Sequence, residues 1–126
     1  MPIISTKNLN IYFERSPAKK YEPLLYIGGT AGDLRNKPNQ MDSPLTNFFE
    51  VISYDQRGLG QTDAPAGEYS MQDYADDAAD LLDALNIDSL NIFGVSFGGM
   101  VAQELTLRHP SKVKKVVLAW KYLGGE

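Results

Sequence analysis

The chain has 126 residues, enough for one domain with a buried core. Its 43% apolar content excludes a disordered chain, its net charge of -4 leaves no basic footprint for nucleic acid, and the absence of cysteine excludes disulfides and thiolate-held metal. No apolar run approaches the roughly 20 residues of a membrane span. The start, Met1-Pro2-Ile3-Ile4-Ser5-Thr6-Lys7, lacks the charged-then-apolar order of a signal peptide, so a soluble cytoplasmic protein is expected.

Residues 3–7 and 10–15 read as two short strands joined by the turn-like Asn8-Leu9-Asn10, hence a hairpin. Residues 16–23 form a polar loop containing Pro17 and Pro23. Leu24-Leu25-Tyr26-Ile27 is a continuous apolar run, the pattern of a strand buried on both faces of a parallel sheet. It stops at Gly28-Gly29-Thr30-Ala31-Gly32. Residues 33–43 are polar and irregular, and residues 44–49 are expected to form a short helix. Val51-Ile52-Ser53-Tyr54 is the next strand, leading into Asp55-Gln56-Arg57-Gly58-Leu59-Gly60-Gln61-Thr62-Asp63.

Ser70 opens the clearest helix. Ser70 and Asp73 form a capping-box pair, and Met71, Tyr74, Ala75, Ala78, Leu82 and Leu85 recur at helical spacing. Asp73, Asp76, Asp77, Asp80 and Asp83 lie off that stripe. A calcium loop needs glycine-bearing, non-helical spacing, so these residues are expected to form a solvated acidic face and no metal site. Residues 90–93 read as a strand, residues 100–109 as a helix ended by His109-Pro110, and Val113–Ala119 as a last apolar strand. Strands alternating with helices in this way predict an α/β fold. It is a mostly parallel sheet with helices on both faces and an N-terminal β-hairpin.

Between the 90–93 strand and the helix after it stands Gly94-Val95-Ser96-Phe97-Gly98. A serine between two glycines, strand before and helix after, matches a nucleophile elbow, a sharp turn that lifts the hydroxyl clear of the sheet. The backbone of such a turn is strained and closely packed, so residues without a β-carbon are needed on both sides. The start of the helix aims unpaired N–H groups at developing negative charge. A nucleotide-binding glycine turn is the competing reading, but neither G-x-G-x-x-G nor G-K-[ST] follows a strand.

Four motifs occur together. They are the glycine-rich loop at 28–32, the Asp55-x-Arg57-Gly58-x-Gly60 turn, Gly94-Val95-Ser96-Phe97-Gly98-Gly99, and Arg108-His109-Pro110-Ser111-Lys112-Val113. On these the chain resembles the N-terminal half of the α/β-hydrolase superfamily, from about residue 11 to 119. The resemblance implies a truncated α/β-hydrolase fold, residues 1–126 being a single N-terminal part with the cap and C-terminal half absent. It implies a serine hydrolase in which Ser96 is the nucleophile and Gly94 and Gly98 shape the elbow. The oxyanion hole would take the backbone N–H of Phe97 and one from the glycine loop, that of Gly29 or alternatively Thr30. Asp55 and Arg57 would fix the loop after their strand. Ile27-Gly28 departs from the family, whose members often have His-Gly there. A serine rather than an aspartate at the elbow disfavours dehalogenases and epoxide hydrolases. The segment around Ser96 looks like small-molecule esterases and lactonases, and the Asp55 turn is similar to proline iminopeptidases. The implied reaction is acyl transfer from a small ester, lactone or amide through an acyl-enzyme, with no cofactor.

In that family the acid and the histidine follow the serine in chain order. After Ser96 this chain offers Glu104, His109 and Glu126. His109 lies 13 residues on, roughly 20 Å along a helix, whereas a base must come within about 3 Å. It is expected at the helix C-terminus, where a cation is favoured. The chain is therefore expected to be an incomplete, inactive fragment, and residues 120–126 do not look like the family's continuation. The expected partners are a small-molecule substrate in the full-length enzyme and either a second copy or a complementing C-terminal half, with no nucleic acid and no membrane. The alternative is a non-catalytic module that assembles through its exposed C-terminal strand.

Overall fold

The computed structural model describes residues 3–17, 21–30 and 32–119; the tail at 120–126, with Trp120 and Glu126, lies outside them. Strand β1 (Ile3–Ser5) pairs antiparallel with β2 (Asn10–Arg15), Ile4 opposite Ile11. The hairpin stands as expected, with a shorter first strand, because Thr6 already belongs to the turn and its N–H donates to the Leu9 carbonyl at 2.8 Å. β2 pairs antiparallel with β4 (Glu50–Tyr54). From there β3 (Pro23–Ile27), β5 (Leu90–Val95) and β6 (Val113–Ala119) continue in parallel, giving the order β1-β2-β4-β3-β5-β6. The sheet is mixed and mostly parallel, with the antiparallel hairpin at one end.

Helices α1 (Met71–Ala84) and α2 (Phe97–Arg108) lie together on one face. Alternate strand residues supply the core beneath them: Leu25, Ile27, Ile52 and Ile92 pack with Ala78, Leu81 and Leu82 of α1 and Val101, Ala102 and Leu105 of α2. The other face carries only single 3-10 turns among the described residues, Gln40–Asp42 and Pro44–Asn47. They are anchored where Gln40 Nε2 donates to Ser53 Oγ of β4 at 2.6 Å. Helical segments thus stand on both faces, but unequally. The short helix expected over 44–49 is corrected to the single 3-10 turn at Pro44–Asn47. Ser43 is extended (φ -81°, ψ 162°), as the residue before a proline tends to be, and Pro44 starts the second turn without a donor.

A second correction concerns the acidic residues of α1, of which Asp77 is not solvated while the others remain partly or fully exposed. Asp77 is buried against Arg57. Asp76 accepts from Arg108 Nε and Nη2, both at 3.1 Å, and lies 2.8 Å from His109 Nε2. Asp83 pairs with Lys112, and Asp80 accepts from Asn8 Nδ2 at 3.2 Å. Helical spacing shows which residues share a side, but not which cations tertiary folding brings there. Among the described residues no group of three or more His, Cys, Asp or Glu could hold a metal ion, and no helix is long and apolar enough to cross a membrane.

β6 lies at the sheet edge. Val113 and Leu118 pack against the core, while Val116 and Val117 are 37% and 51% exposed. Because side chains alternate along a strand, these two valines mark both faces of the edge as open.

Candidate active site

Ser96 is the single residue between the end of β5 and the start of α2. The chain must turn from strand to helix within it, which forces φ 57° and ψ -121°, a conformation that L residues rarely adopt. Its side chain makes no capping hydrogen bond to α2 and the residue is exposed. Its backbone is held instead: Ser96 N–H donates to Ala119 O at 2.9 Å, and Ser96 O accepts from Gly99 N–H at 2.8 Å.

The two elbow glycines are required by close approach. A β-carbon on Gly98 would fall 2.5 Å from the Gly28 carbonyl oxygen, and closer still to that of Ile27. On Gly94 it would fall 2.5 Å from the Gly98 carbonyl oxygen and 2.9 Å from the Ala102 β-carbon. The first turn of α2 therefore sits directly on the C-terminal end of β3, where the glycine loop begins. First-turn N–H groups such as that of Phe97 have no partner within their own helix, and they point out of its N-terminus. Thr30 and Phe97 line one recess beside the elbow, and the Gly29 carbonyl closes the loop by accepting from Gly32 N–H at 3.2 Å.

Asp55 and Arg57 fix the loop after β4, as expected. The buried Asp55 carboxylate accepts from Leu34 N–H at 2.8 Å and from Gln61 N–H at 3.0 Å. Burial pushes this carboxyl above its usual range, and the two N–H donors pull against that shift. Gly60 (φ 52°) is required because a β-carbon there would overlap the same carboxylate. Arg57 holds Asp77 of α1 through Nε at 2.7 Å and Nη2 at 2.9 Å. Hydrogen bonding to Asp77 raises the Arg57 pKa. Burial pushes the Asp77 carboxyl up, while Arg57 pulls it down.

His109 is not brought to the serine. It caps the far end of α2, its N–H donating to Leu105 O at 2.8 Å. The 12 residues of the helix put roughly 18 Å between them. Glu104 lines a separate groove with Met100 and Val116.

Three contributors were missing from the motifs. Gln56 Nε2 donates to the Gly28 carbonyl at 3.0 Å, clamping the glycine loop from the side opposite Gly98. Tyr74 meets the Phe97 ring edge-on at 5.0 Å, and Tyr69 meets Tyr74 in the same way at 6.0 Å. Tyr74 was visible only as part of the apolar stripe of α1, and nothing in the sequence links Gln56 or Tyr69 to the elbow.

Comparison with known proteins agrees with this fold. Residues 22–119 match the model of the alpha/beta hydrolase fold family. The chain is 36% identical over 124 residues to the putative carbamate hydrolase RutD of Yersinia enterocolitica, covering 92% of this chain and 43% of that protein. A hydrolase from Pseudomonas aeruginosa superposes with a TM-score of 0.84 at 30% identity, over 97% of this chain and 47% of its own. The enol-lactonase of Burkholderia xenovorans superposes with a TM-score of 0.82 at 26% identity, over 91% and 45%. The chain thus spans less than half the length of these relatives. By its elbow, its sheet order and its family match, it belongs to the α/β-hydrolase fold family.

Proposed function

We propose that this chain is the N-terminal part of a serine hydrolase that cleaves a small ester, lactone, amide or carbamate through an acyl-enzyme on Ser96. The observation that carries the reading is the exposed Ser96 at φ 57° between β5 and α2, its hydroxyl free of any capping role. The Phe97 N–H and a glycine-loop N–H, that of Gly29 or Thr30, stabilise the oxyanion, and Gly94 and Gly98 let the elbow close. The base and the acid come from the C-terminal part of the domain, since the single histidine here is committed to the far end of α2. Relatives more than twice as long as these 126 residues support this reading.

The test is hydrolysis of p-nitrophenyl acetate by the purified chain, alone and co-expressed with the C-terminal portion of the Yersinia relative. Alone, turnover should match that of Ser96→Ala, because without its base an enzyme retains only binding and oxyanion contributions. With the complement bound, Ser96-dependent turnover should rise. Ordinary esterase turnover by the chain alone would overturn the division of labour, and a bound but inactive pair would overturn the hydrolase reading.

A second reading is a non-catalytic module that assembles as a symmetric oligomer through β6, favoured by the exposed Val116 and Val117 on that edge. Lys114 and Lys115, both exposed, oppose random pairing without covering the apolar side chains. Light scattering coupled to size exclusion separates the readings: a folded species of one chain mass at micromolar concentration removes the second.

A further inference from the structure

Beside the elbow lies a recess of about 210 Å³ whose walls include Thr30, Arg57, Leu59, Tyr69, Tyr74 and Phe97. Two of these, Thr30 and Phe97, are residues whose N–H groups are proposed above for the oxyanion hole. The charge on its wall is already matched. Arg57 commits Nε and Nη2 to Asp77 at 2.7 and 2.9 Å, and its guanidinium carbon lies 5.0 Å from the centre of the Tyr69 ring. The Tyr69 hydroxyl is turned to the Pro65 carbonyl at 2.6 Å. The Tyr69, Tyr74 and Phe97 rings, the Leu59 side chain and the uncharged Thr30 remain as the surface offered to a ligand. An anion would have to compete with Asp77 for Arg57, and a cation would meet the guanidinium. A neutral group meets neither obstacle, although the recess is open to solvent at Thr30 and Gly58. For scale, an apolar cavity of about 150 Å³ holds benzene.

We propose that this recess receives an uncharged, ring-sized group flanking the scissile carbonyl. The enzyme would then select neutral aromatic or compact branched esters and lactones over substrates with a carboxylate at that position. The proposal rests on Ser96 being the reacting residue, but ring binding can be read without any reaction.

The probe is 4-fluoroacetophenone, a neutral ketone that cannot be hydrolysed, followed by fluorine NMR on the purified chain. Saturable binding is expected in the chain and equally in Ser96→Ala. Tyr74→Ala should weaken it by about fivefold to tenfold, the worth of one aromatic contact. Leu59→Trp, a loop substitution that fills the recess without opening a cavity, should abolish it, and 4-fluorobenzoate should bind more weakly than the ketone. Undiminished ketone binding in folded Leu59→Trp, no ketone binding to the folded chain, or tighter binding of the benzoate would each overturn the proposal. Loss of the hydrolase reading alone would leave these titrations unchanged.

Discussion

Both α-helices among the described residues begin at a serine, and the two serines do opposite things. Ser70 has ordinary extended geometry (φ -97°, ψ 164°), and its hydroxyl accepts from Asp73 N–H at 3.1 Å while Asp73 accepts from Ser70 N–H at 2.8 Å. That hydroxyl is consumed by its own helix. Ser96 has φ 57°, makes no capping bond, and leaves its hydroxyl exposed. The same contrast runs through the helices. α1 is tied down by charged side chains, Asp77 to Arg57 and Asp76 to Arg108. The start of α2 is tied down by the absence of side chains, which lets its backbone lie on the end of β3. A helix held by polar side chains can begin anywhere on the surface. A helix that presents a reactive group over a sheet needs its anchoring to come from bare backbone.

The sharpest way to break this comparison is Gly98→Val. Its branched side chain would collide with the Ile27 and Gly28 carbonyls, which are backbone atoms without freedom to move away. The loss should exceed about 4–5 kcal/mol, enough to prevent soluble folding. Gly94→Val should behave in the same way. A thermal melt of either variant within a degree or two of the parent would mean that α2 is not anchored by close approach.

On the α1 side the largest effect should come from Arg57→Ala, which leaves Asp77 buried without its partner. About 3–5 kcal/mol is expected from removing one member of a buried pair, read from urea denaturation. Arg57→Ala combined with Asp77→Leu should recover part of this loss. If the single variant unfolds at the parent's urea midpoint, α1 is held by its apolar stripe alone.

Next come the serines themselves, with opposite signs. Ser70→Ala removes a cap and should destabilise by about 1 kcal/mol. Ser96→Gly should stabilise by about 1 kcal/mol. It releases a positive-φ strain of order 1–3 kcal/mol, offset by the greater freedom of glycine in the unfolded chain. Equal signs in urea titrations of the two variants would remove the distinction drawn between the two turns.

The smallest effect is a pH dependence confined to one helix start. The backbone hydrogen bond from Ser70 is the main reason that the Asp73 pKa lies below its usual value. A lowered folded-state pKa means that the contribution is complete above the unfolded value and is lost as pH falls through the folded one. An NMR titration should therefore show the Ser70 amide moving with a midpoint below that of a free aspartate, while amides at Ser96 and Phe97 do not follow it. A midpoint at or above the free value would show that the capping box contributes nothing in solution.

The sequence by itself determined the order of elements, because apolar periodicity and helix caps are local: the run at 24–27, the stripe after Ser70 and the glycine-serine-glycine spacing all depend on near neighbours. It also marked Ser96, since only a sharp turn needs that pattern. What it could not determine was which residues meet across the chain. Arg57 and Asp77 are 20 residues apart, on the loop and the helix of one crossover, and Gln56 and Gly28 are 28 apart, on loops of successive crossovers that the parallel strands bring to one end of the sheet. Those contacts turned part of an apparently solvated acidic face into a buried anchor, and part of an apolar stripe into the wall of a recess. The unequal covering of the two faces was decided in the same way. A helix pattern records that one side is apolar, whereas the face of the sheet it covers is set by the direction in which the chain crosses over.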